Sequence, residues 1–470
     1  MALIGPASRH PGSLFYNPAT MGFLEGHHLY IDGMAALSAT SVRRRRVDPA
    51  TGAPTSGSSP RERSLTVLPQ LFGAAISDLG LDALVVGVAI HTPTWERTSY
   101  ANGVDDFFDA AAQGPSRYHG VSFSLFQLYV TLGAALRITD GWYIGFSTSY
   151  VFGSLSYAFV RDAALLGGAR RDAGEYIALG DCGGGQRCGY GNDRAAEAIH
   201  ISGTSNALGF AAGLIGHVHP DVVIGVGYVS VLVGFGGNRI PADGDAWIRR
   251  SQAVLEAAQA ELGSVQRDLH GRSLVNYQLP DIVTAGVSWQ LRPTLALSAQ
   301  LRWMTYRRHD RLDIRLTGRQ LQRDPQVPQQ LVHFRGFHDV LAGQVGVRWR
   351  VWSRLELSGG LMVESSAVSS SALSPIAAEG WKLDLVAAAR LWLTSRLSLR
   401  VGLGLIWVPT LTNDDSDFDP STLPACVDAR FDVDNASCKQ AAAGRGLAST
   451  AGSYGALSAR LGLGLSYDWR

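Results

Sequence analysis

Between Trp381 and Arg470 the chain repeats one pattern three times: an apolar residue at every second position over a long run, broken by a short polar turn. Trp381, Leu383, Leu385, Ala387, Ala389, Leu391 and Leu393 share one parity, with Lys382, Asp384 and Arg390 on the other. Leu397, Leu399, Val401, Leu403, Leu405 and Trp407 then alternate with Ser398, Arg400, Gly402 and Gly404. Leu457, Ala459, Leu461, Leu463, Leu465, Tyr467 and Trp469 alternate with Ser458, Arg460, Gly462, Gly464 and Asp468. Side chains of a strand point alternately to opposite faces, so each copy has one greasy face and one polar face. A soluble sandwich would turn the greasy face inward, whereas a membrane barrel turns it outward to lipid, with aromatic residues near the strand ends. Periodicity alone does not choose between the two.

Loop lengths do. Segments with the required alternation lie near 27–42, 64–77, 83–97, 117–137, 141–157, 203–217 and 221–234, and again near 272–290, 294–309, 337–350, 354–367, 379–392, 396–409 and 451–469. That makes fourteen, an even number. Their connections alternate between tight turns, such as Thr139 to Gly141, His217 to Asp221 and Arg350 to Arg354, and long loops. Outer-membrane barrels have short periplasmic turns and long external loops; a soluble sandwich has no reason to sort loop length by parity. No obvious linker divides the 470 residues, so one large closed sheet is expected. The longest apolar stretch, Val222 to Gly236, is diluted by glycine and serine and falls short of the ~18 to 20 residues of a membrane helix.

Net charge is +1, and Lys382 and Lys439 are the only lysines, so the positive charge is arginine spread over loops and inward strand positions. The run Arg43 to Arg46 reads as a solvated loop base, and nothing argues for nucleic acid. The four cysteines form two local pairs, Cys182 with Cys188 and Cys426 with Cys438, each in a loop rich in Gly, Asp or Asn. Two small disulfides in an oxidising compartment are expected. The rival, a zinc site, lacks the two-to-four-residue gap typical of zinc ligation. No metal site or cofactor is expected.

In Pro241 to Gly271, Trp247, Ile248, Ser251, Val254, Leu255, Ala258 and Leu262 recur at helical spacing. This predicts an amphipathic helix over the outer mouth, with Trp247, Ile248 and Leu255 as a surface for ligand capture or simply as a cap. Val104 to Ala112, with Phe107 and Phe108, suggests a second helical piece. Before the first strand, Gly12 to Leu24 is apolar with turn chemistry at Asn17 and Pro18. In a barrel whose outside is lipid, such a segment has the lumen as its available place and would act as a plug.

Phe15-Tyr16-Asn17-Pro18-Ala19-Thr20-Met21 resembles the N-terminal hatch motif of the FadL family of outer-membrane channels, an aromatic followed by Asn-Pro-Ala. Similar too are His91-Thr92-Pro93 through Tyr100, Arg117-Tyr118, Leu279-Pro280-Asp281 and the closing strand with Tyr467 and Trp469. The resemblance covers most of the chain. It implies an all-β fold, a 14-stranded antiparallel transmembrane barrel (27–470) with a luminal hatch (1–26) and helical external loops, in the outer membrane of a Gram-negative bacterium. Thr20 stands where the family commonly has Gly after Asn-Pro-Ala, Arg470 follows the usual terminal aromatic, and cysteine-bearing loops are not a general family trait. Met1 to Pro11 holds no charged segment with an apolar core, so the start is expected to be truncated or miscalled.

The function implied is passive uptake of hydrophobic small molecules such as long-chain fatty acids, with no enzymatic chemistry. Outer-membrane lipid and lipopolysaccharide are the expected surroundings, and the chain is expected to be a monomer. Inward Arg302 and Arg460 could meet a ligand carboxylate, or pair with groups such as Asp384 and the plug. In the family, ligand leaves sideways where the third strand is kinked; here that region is Gly87 to Pro93, and proline and glycine both weaken a strand. Two alternatives are an outer-membrane hydrolase, which the dispersed histidines do not favour, and a structural or adhesion barrel, which a sealed polar lumen would favour.

Overall fold

The computed structural model describes residues 5–47, 54–93, 95–100, 116, 120–162, 196–232, 239–250, 255, 266–309, 311–324, 327, 329–414 and 450–469. Its strands are, in order, β1 (His27–Val47), β2 (Pro54–Ser58), β3 (Glu62–Ser77), β4 (Leu84–His91), β5 (Trp95–Ser99), β6 (Ser122–Thr139) and β7 (Trp142–Asp162). They continue as β8 (Ala196–His219), β9 (Val222–Leu232), β10 (Ile240–Arg250), β11 (Asp268–Tyr277), β12 (Ile282–Arg292), β13 (Leu295–Met304) and β14 (Arg311–Thr317). The last are β15 (Gln330–Phe334), β16 (Val340–Trp352), β17 (Leu355–Glu364), β18 (Lys382–Trp392), β19 (Leu397–Asn413) and β20 (Gly452–Trp469).

Fourteen of these form a closed antiparallel wall. Pairing runs β1–β3–β4–β6–β7–β8–β9–β12–β13–β16–β17–β18–β19–β20 and returns to β1, with β5 continuing the β4 position after a break. Closure is complete in register, from His27↔Trp469 to Arg44↔Gly452. Closing the ladder leaves neither the first nor the last strand with an unpaired edge, which is what lets a sheet cross hydrocarbon.

The two faces sort as the alternation requires. On β20, Leu457, Leu461, Leu463, Leu465 and Tyr467 are exposed, while Arg460, Ser466 and Asp468 take the opposite parity. In a water-soluble protein such a continuous apolar exterior would be an aggregation surface; around a barrel it is the lipid face. Exposed Trp289, Trp349, Trp352, Tyr467 and Trp469 lie toward the short turns, and Trp303, Trp381 and Trp407 toward the long loops. Tyr467 pairs with Leu397, and Trp407 pairs with Leu457 on the same two strands. At about 3.3 Å per residue and a tilt near 40°, that separation is roughly 25 Å, the height of an outer-membrane apolar band.

Outside the wall, β10, β11, β14 and β15 extend the same sheet. The end of β8 that rises above β9 pairs with β10, then β10 with β11, β11 with β14 and β14 with β15. This corrects the expected helix at Pro241 to Arg250; residues 251–254 and 256–265 lie outside the described residues. Trp247 and Ile248 lie on a strand because Ile240, Ala242, Ala246, Ile248 and Arg250 are all buried at even positions, and β8 offers a free edge for β10 to extend. Leu255 is helical and buried. Arg250, fully buried, holds the sheet in place: its Nε donates to Glu197 at 2.8 Å and its two terminal nitrogens to Asp324 at 2.7 and 2.8 Å. The segment expected near 272–290 proves to be two strands with different partners, separated at Gln278 to Asp281. The piece Val104 to Ala112 and the four cysteines, Cys182, Cys188, Cys426 and Cys438, lie outside the described residues.

Candidate functional site

Ahead of β1 the chain enters the lumen as two 3-10 turns, Pro11–Phe15 and Pro18–Phe23. Proline opens each, where its missing N–H costs nothing. His10 Nδ1 accepts from the Gly12 N–H at 2.9 Å and Asn17 Oδ1 from the Ala19 N–H at 3.0 Å, capping the two turns. Asn17 is fully buried, and its amide nitrogen donates to the carbonyls of Pro6, at 2.8 Å, and Leu214 of β8, at 3.0 Å. Thr20, the departure from the family motif, donates its hydroxyl to the Asn17 carbonyl at 2.8 Å. Leu14 and Met21 pack with Ala74, Ile76, Val85, Ala89 and Ala135 of the wall.

The seat for this segment is made of inward glycines on adjacent strands. Gly145, Gly213 and Gly227 stand side by side on β7, β8 and β9. A Cβ on Gly145 would overlap the Ala19 backbone, one on Gly213 the Asn17 side chain, and one on Gly227 the Tyr16 carbonyl. Gly87 belongs to the same seat: a Cβ there would lie 2.6 Å from Met21 Sδ. It is laddered on both sides, to Ile76 and to Gly133, so the wall is intact at Gly87.

Above the plug a cavity of about 580 Å³ opens against the β17–β20 side of the lumen. That wall carries small inward residues, Gly402, Gly404, Ala456 and Gly462, and Phe15 and Tyr16 form the floor. The three polar candidates all line it. Arg460 is bonded to Asp384, bridging β20 and β18. Arg302 stacks its guanidinium over the Tyr16 ring at 4.8 Å, and its Nε bonds no protein group. At the outer end, beyond the spanning strands, His309 is pushed down to about 3 by burial and then by the Arg335 charge. It stays neutral, donating from Nδ1 to the Gln278 carbonyl and accepting at Nε2 from Arg335.

The cavity also reaches a break in the wall. β3 pairs with β4 only from Phe72↔His91 to Ser77↔Val86. The last main-chain link is the Thr92 N–H to the Leu71 carbonyl at 3.0 Å, backed by the Leu71 N–H to Thr92 Oγ1 at 2.9 Å. Pro93 follows, with no N–H to give. Beyond it β5 pairs with β6 but shares no ladder with β3. Two side-chain bonds hold that seam: Thr66 Oγ1 to the Arg97 carbonyl at 3.3 Å, and the Ser99 N–H to Ser64 Oγ at 2.9 Å. Leu68, Gln70, Thr92, Pro93 and Trp95 line the cavity at this seam. Of the two suggested gate residues, Pro93 is therefore at the break and Gly87 is below it.

A family model described as "Outer membrane protein transport protein (OMPP1/FadL/TodX)" matches residues 1–382. The chain belongs to the FadL/TodX family of outer-membrane transport proteins. Its fold is that of a Pseudomonas aeruginosa FadL homologue, at 14% identity and a TM-score of 0.72, covering 100% of this chain and 96% of that one. The P. putida toluene transporter TodX matches at 12% identity and TM-score 0.63, covering 98% and 95%. The Ralstonia pickettii toluene transporter TbuX matches at 16% and 0.58, covering 99% and 98%. No curated protein sequence matches the chain. As a FadL/TodX-family barrel it resides in the outer membrane of a Gram-negative cell. The aromatic–Asn–Pro–Ala motif was legible in its sequence; the glycine seat and the side-chain seam between β3 and β5 were not singled out, although inward glycines at one height on neighbouring strands were there to be read.

Proposed function

We propose that the barrel is a passive channel for hydrophobic small molecules, long-chain fatty acids and aromatic hydrocarbons among them. Ligand enters from the long-loop end, rests in the cavity above residues 5–26, which act as a hatch, and leaves through the seam between β3 and β5. The observation that carries this reading is the continuity of the cavity with that seam: one space touches both the plug residues Phe15 and Tyr16 and the break residues Thr92, Pro93 and Trp95. A cavity of this size lies within the ~300 to 1,000 Å³ of small-ligand sites, and the apolar part of its mixed lining, Phe15, Leu68, Phe72, Met362 and Ile406 among it, favours burial of apolar ligand. Arg460 has its counter-charge in Asp384, so its role is structural; of the two candidate arginines, Arg302 is the one left to face ligand. Uptake of radiolabelled toluene and palmitate by cells producing the full chain, against vector-only cells, tests the proposal. Faster entry of at least one is expected, and equal rates for both would refute it.

A further inference from the structure

His91 ends β4 and points into the lumen at 4% exposure, and among the described residues no protein group bonds either of its ring nitrogens. Its neighbours are aromatic. Phe72 and Tyr129 are its cross-strand partners, with ring centroids 5.7 and 5.1 Å away, and Phe15 of the plug meets it edge-on at 5.0 Å. The indole N–H of Trp95, across the break, is likewise buried without a protein acceptor. His91, Phe15, Phe72 and Trp95 all line the cavity. A buried polar group without a partner is costly, and phenylalanine or leucine would fill the position without that cost if the ligand were purely apolar.

We infer that His91 is the polar contact of a slot for single-ring aromatic compounds bearing a hydroxyl, that is, phenols. This rests on the channel reading above and narrows its substrate class. An uncharged imidazole offers one N–H and one lone pair, and a hydroxyl both donates and accepts, so it bonds either tautomer. A carboxylate only accepts and would set its charge among aromatic faces, and a plain hydrocarbon would bury both nitrogens unbonded. The surrounding rings suit the ligand ring, since aromatic pairs favour edge-on and offset contacts, such as the edge-on contact of Phe15 with Tyr129 at 5.8 Å.

The test compares p-cresol with toluene, which share the ring and the methyl group. Uptake of each is measured in cells producing the wild-type chain, His91→Phe or His91→Asn, with heat-modifiable migration on gels confirming the fold. The ratio of cresol to toluene uptake should fall about tenfold in His91→Phe, with toluene uptake retained, and should survive largely in His91→Asn, which keeps a donor and an acceptor. In the wild-type protein in lipid nanodiscs, the ring ¹⁵N shifts of His91 should move on addition of p-cresol and not of toluene, a readout that holds even if a variant fails to fold. An unchanged ratio in His91→Phe, or ring nitrogens indifferent to p-cresol, overturns the slot while leaving toluene uptake, and hence the channel, standing. A wild-type chain that carries neither compound overturns the slot, and the channel with it if palmitate is not carried either.

Discussion

Asn17 donates its side-chain amide to the main-chain carbonyl of Leu214 at 3.0 Å, a bond across 197 residues that ties the plug to the middle of the wall. The same nitrogen binds the Pro6 carbonyl, and the side-chain oxygen caps Ala19. Asn17→Ala removes all three, each worth about 1 kcal/mol net. The barrel should still fold, because no wall ladder is touched. The plug should become accessible to protease from the periplasmic side, and cells should admit a bulky hydrophilic antibiotic. Unaltered permeability would mean that the seat holds without Asn17.

The glycine seat makes a sharper version of the same test. Gly227→Val would drive a side chain into the Tyr16 carbonyl, whereas Gly33→Val on β1 meets nothing within 4 Å. Both are strand positions where valine is otherwise favoured. Gly227→Val should unseat the plug and raise permeability, and Gly33→Val should leave permeability and heat stability at wild-type levels. Equal behaviour of the two variants would argue against a plug held by close backbone approach.

Much of this architecture is legible in the sequence because a barrel wall writes its pattern strictly: each strand has one face in lipid, so parity survives through Leu457 to Trp469 and its counterparts. The outer sheet is harder to read. In Ile240 to Arg250 the buried even positions include Arg250, whose burial is made possible by Glu197 and Asp324 from distant parts of the chain. A local scan scores that arginine as polar and lets Trp247 suggest a helix instead. His91 is legible only as part of a short motif, for a related reason: its lack of partners is a property of three neighbouring strands and the plug, not of the residues beside it.

Arg250 therefore supports a prediction of its own. Arg250→Met leaves the buried Glu197 carboxylate and the partly buried Asp324 carboxylate without their arginine, a loss of about 3 to 5 kcal/mol when one partner of a buried pair is removed. Because β10, β11, β14 and β15 lie outside the closed wall, the effect should be local: faster hydrogen exchange in β10 and β11 with unchanged exchange in β18 to β20. Uniform loosening of the barrel would show that the outer sheet and the wall fold as one unit.

At the other end, Asp78 in the turn between β3 and β4 joins wall to plug. Its carboxylate accepts from the Gly80 N–H at 3.0 Å and the Gly26 N–H at 2.6 Å, and these bonds hold its pKa below the usual carboxylate range. A carboxyl whose folded pKa is lowered contributes stability that is complete above its unfolded value, roughly 3.9. That contribution is lost as pH falls through the lower folded value. Protease access to the junction at Gly26 should thus rise only in acid for the wild type. In Asp78→Asn it should be raised already at neutral pH and change little on acidification. A wild-type profile in the variant would remove Asp78 from the junction.

The exit route turns on the seam. Ser64 Oγ accepts from the Ser99 N–H at 2.9 Å, which brings β3 and β5 within reach of a disulfide where no ladder joins them. Ser64→Cys with Ser99→Cys, in a chain whose four native cysteines are replaced by serine, should cross-link under oxidation without distorting the wall. If ligand leaves through this opening, toluene or palmitate uptake should fall to the vector-only level when oxidised and recover on reduction. A control bridge between β4 and β6 beside Gly87, where the ladder is already continuous, should change nothing. Full uptake in the oxidised Ser64–Ser99 variant would exclude the lateral route and leave the path past Tyr16 and Asn17, along the small-residue wall of β19 and β20, as the way into the periplasm.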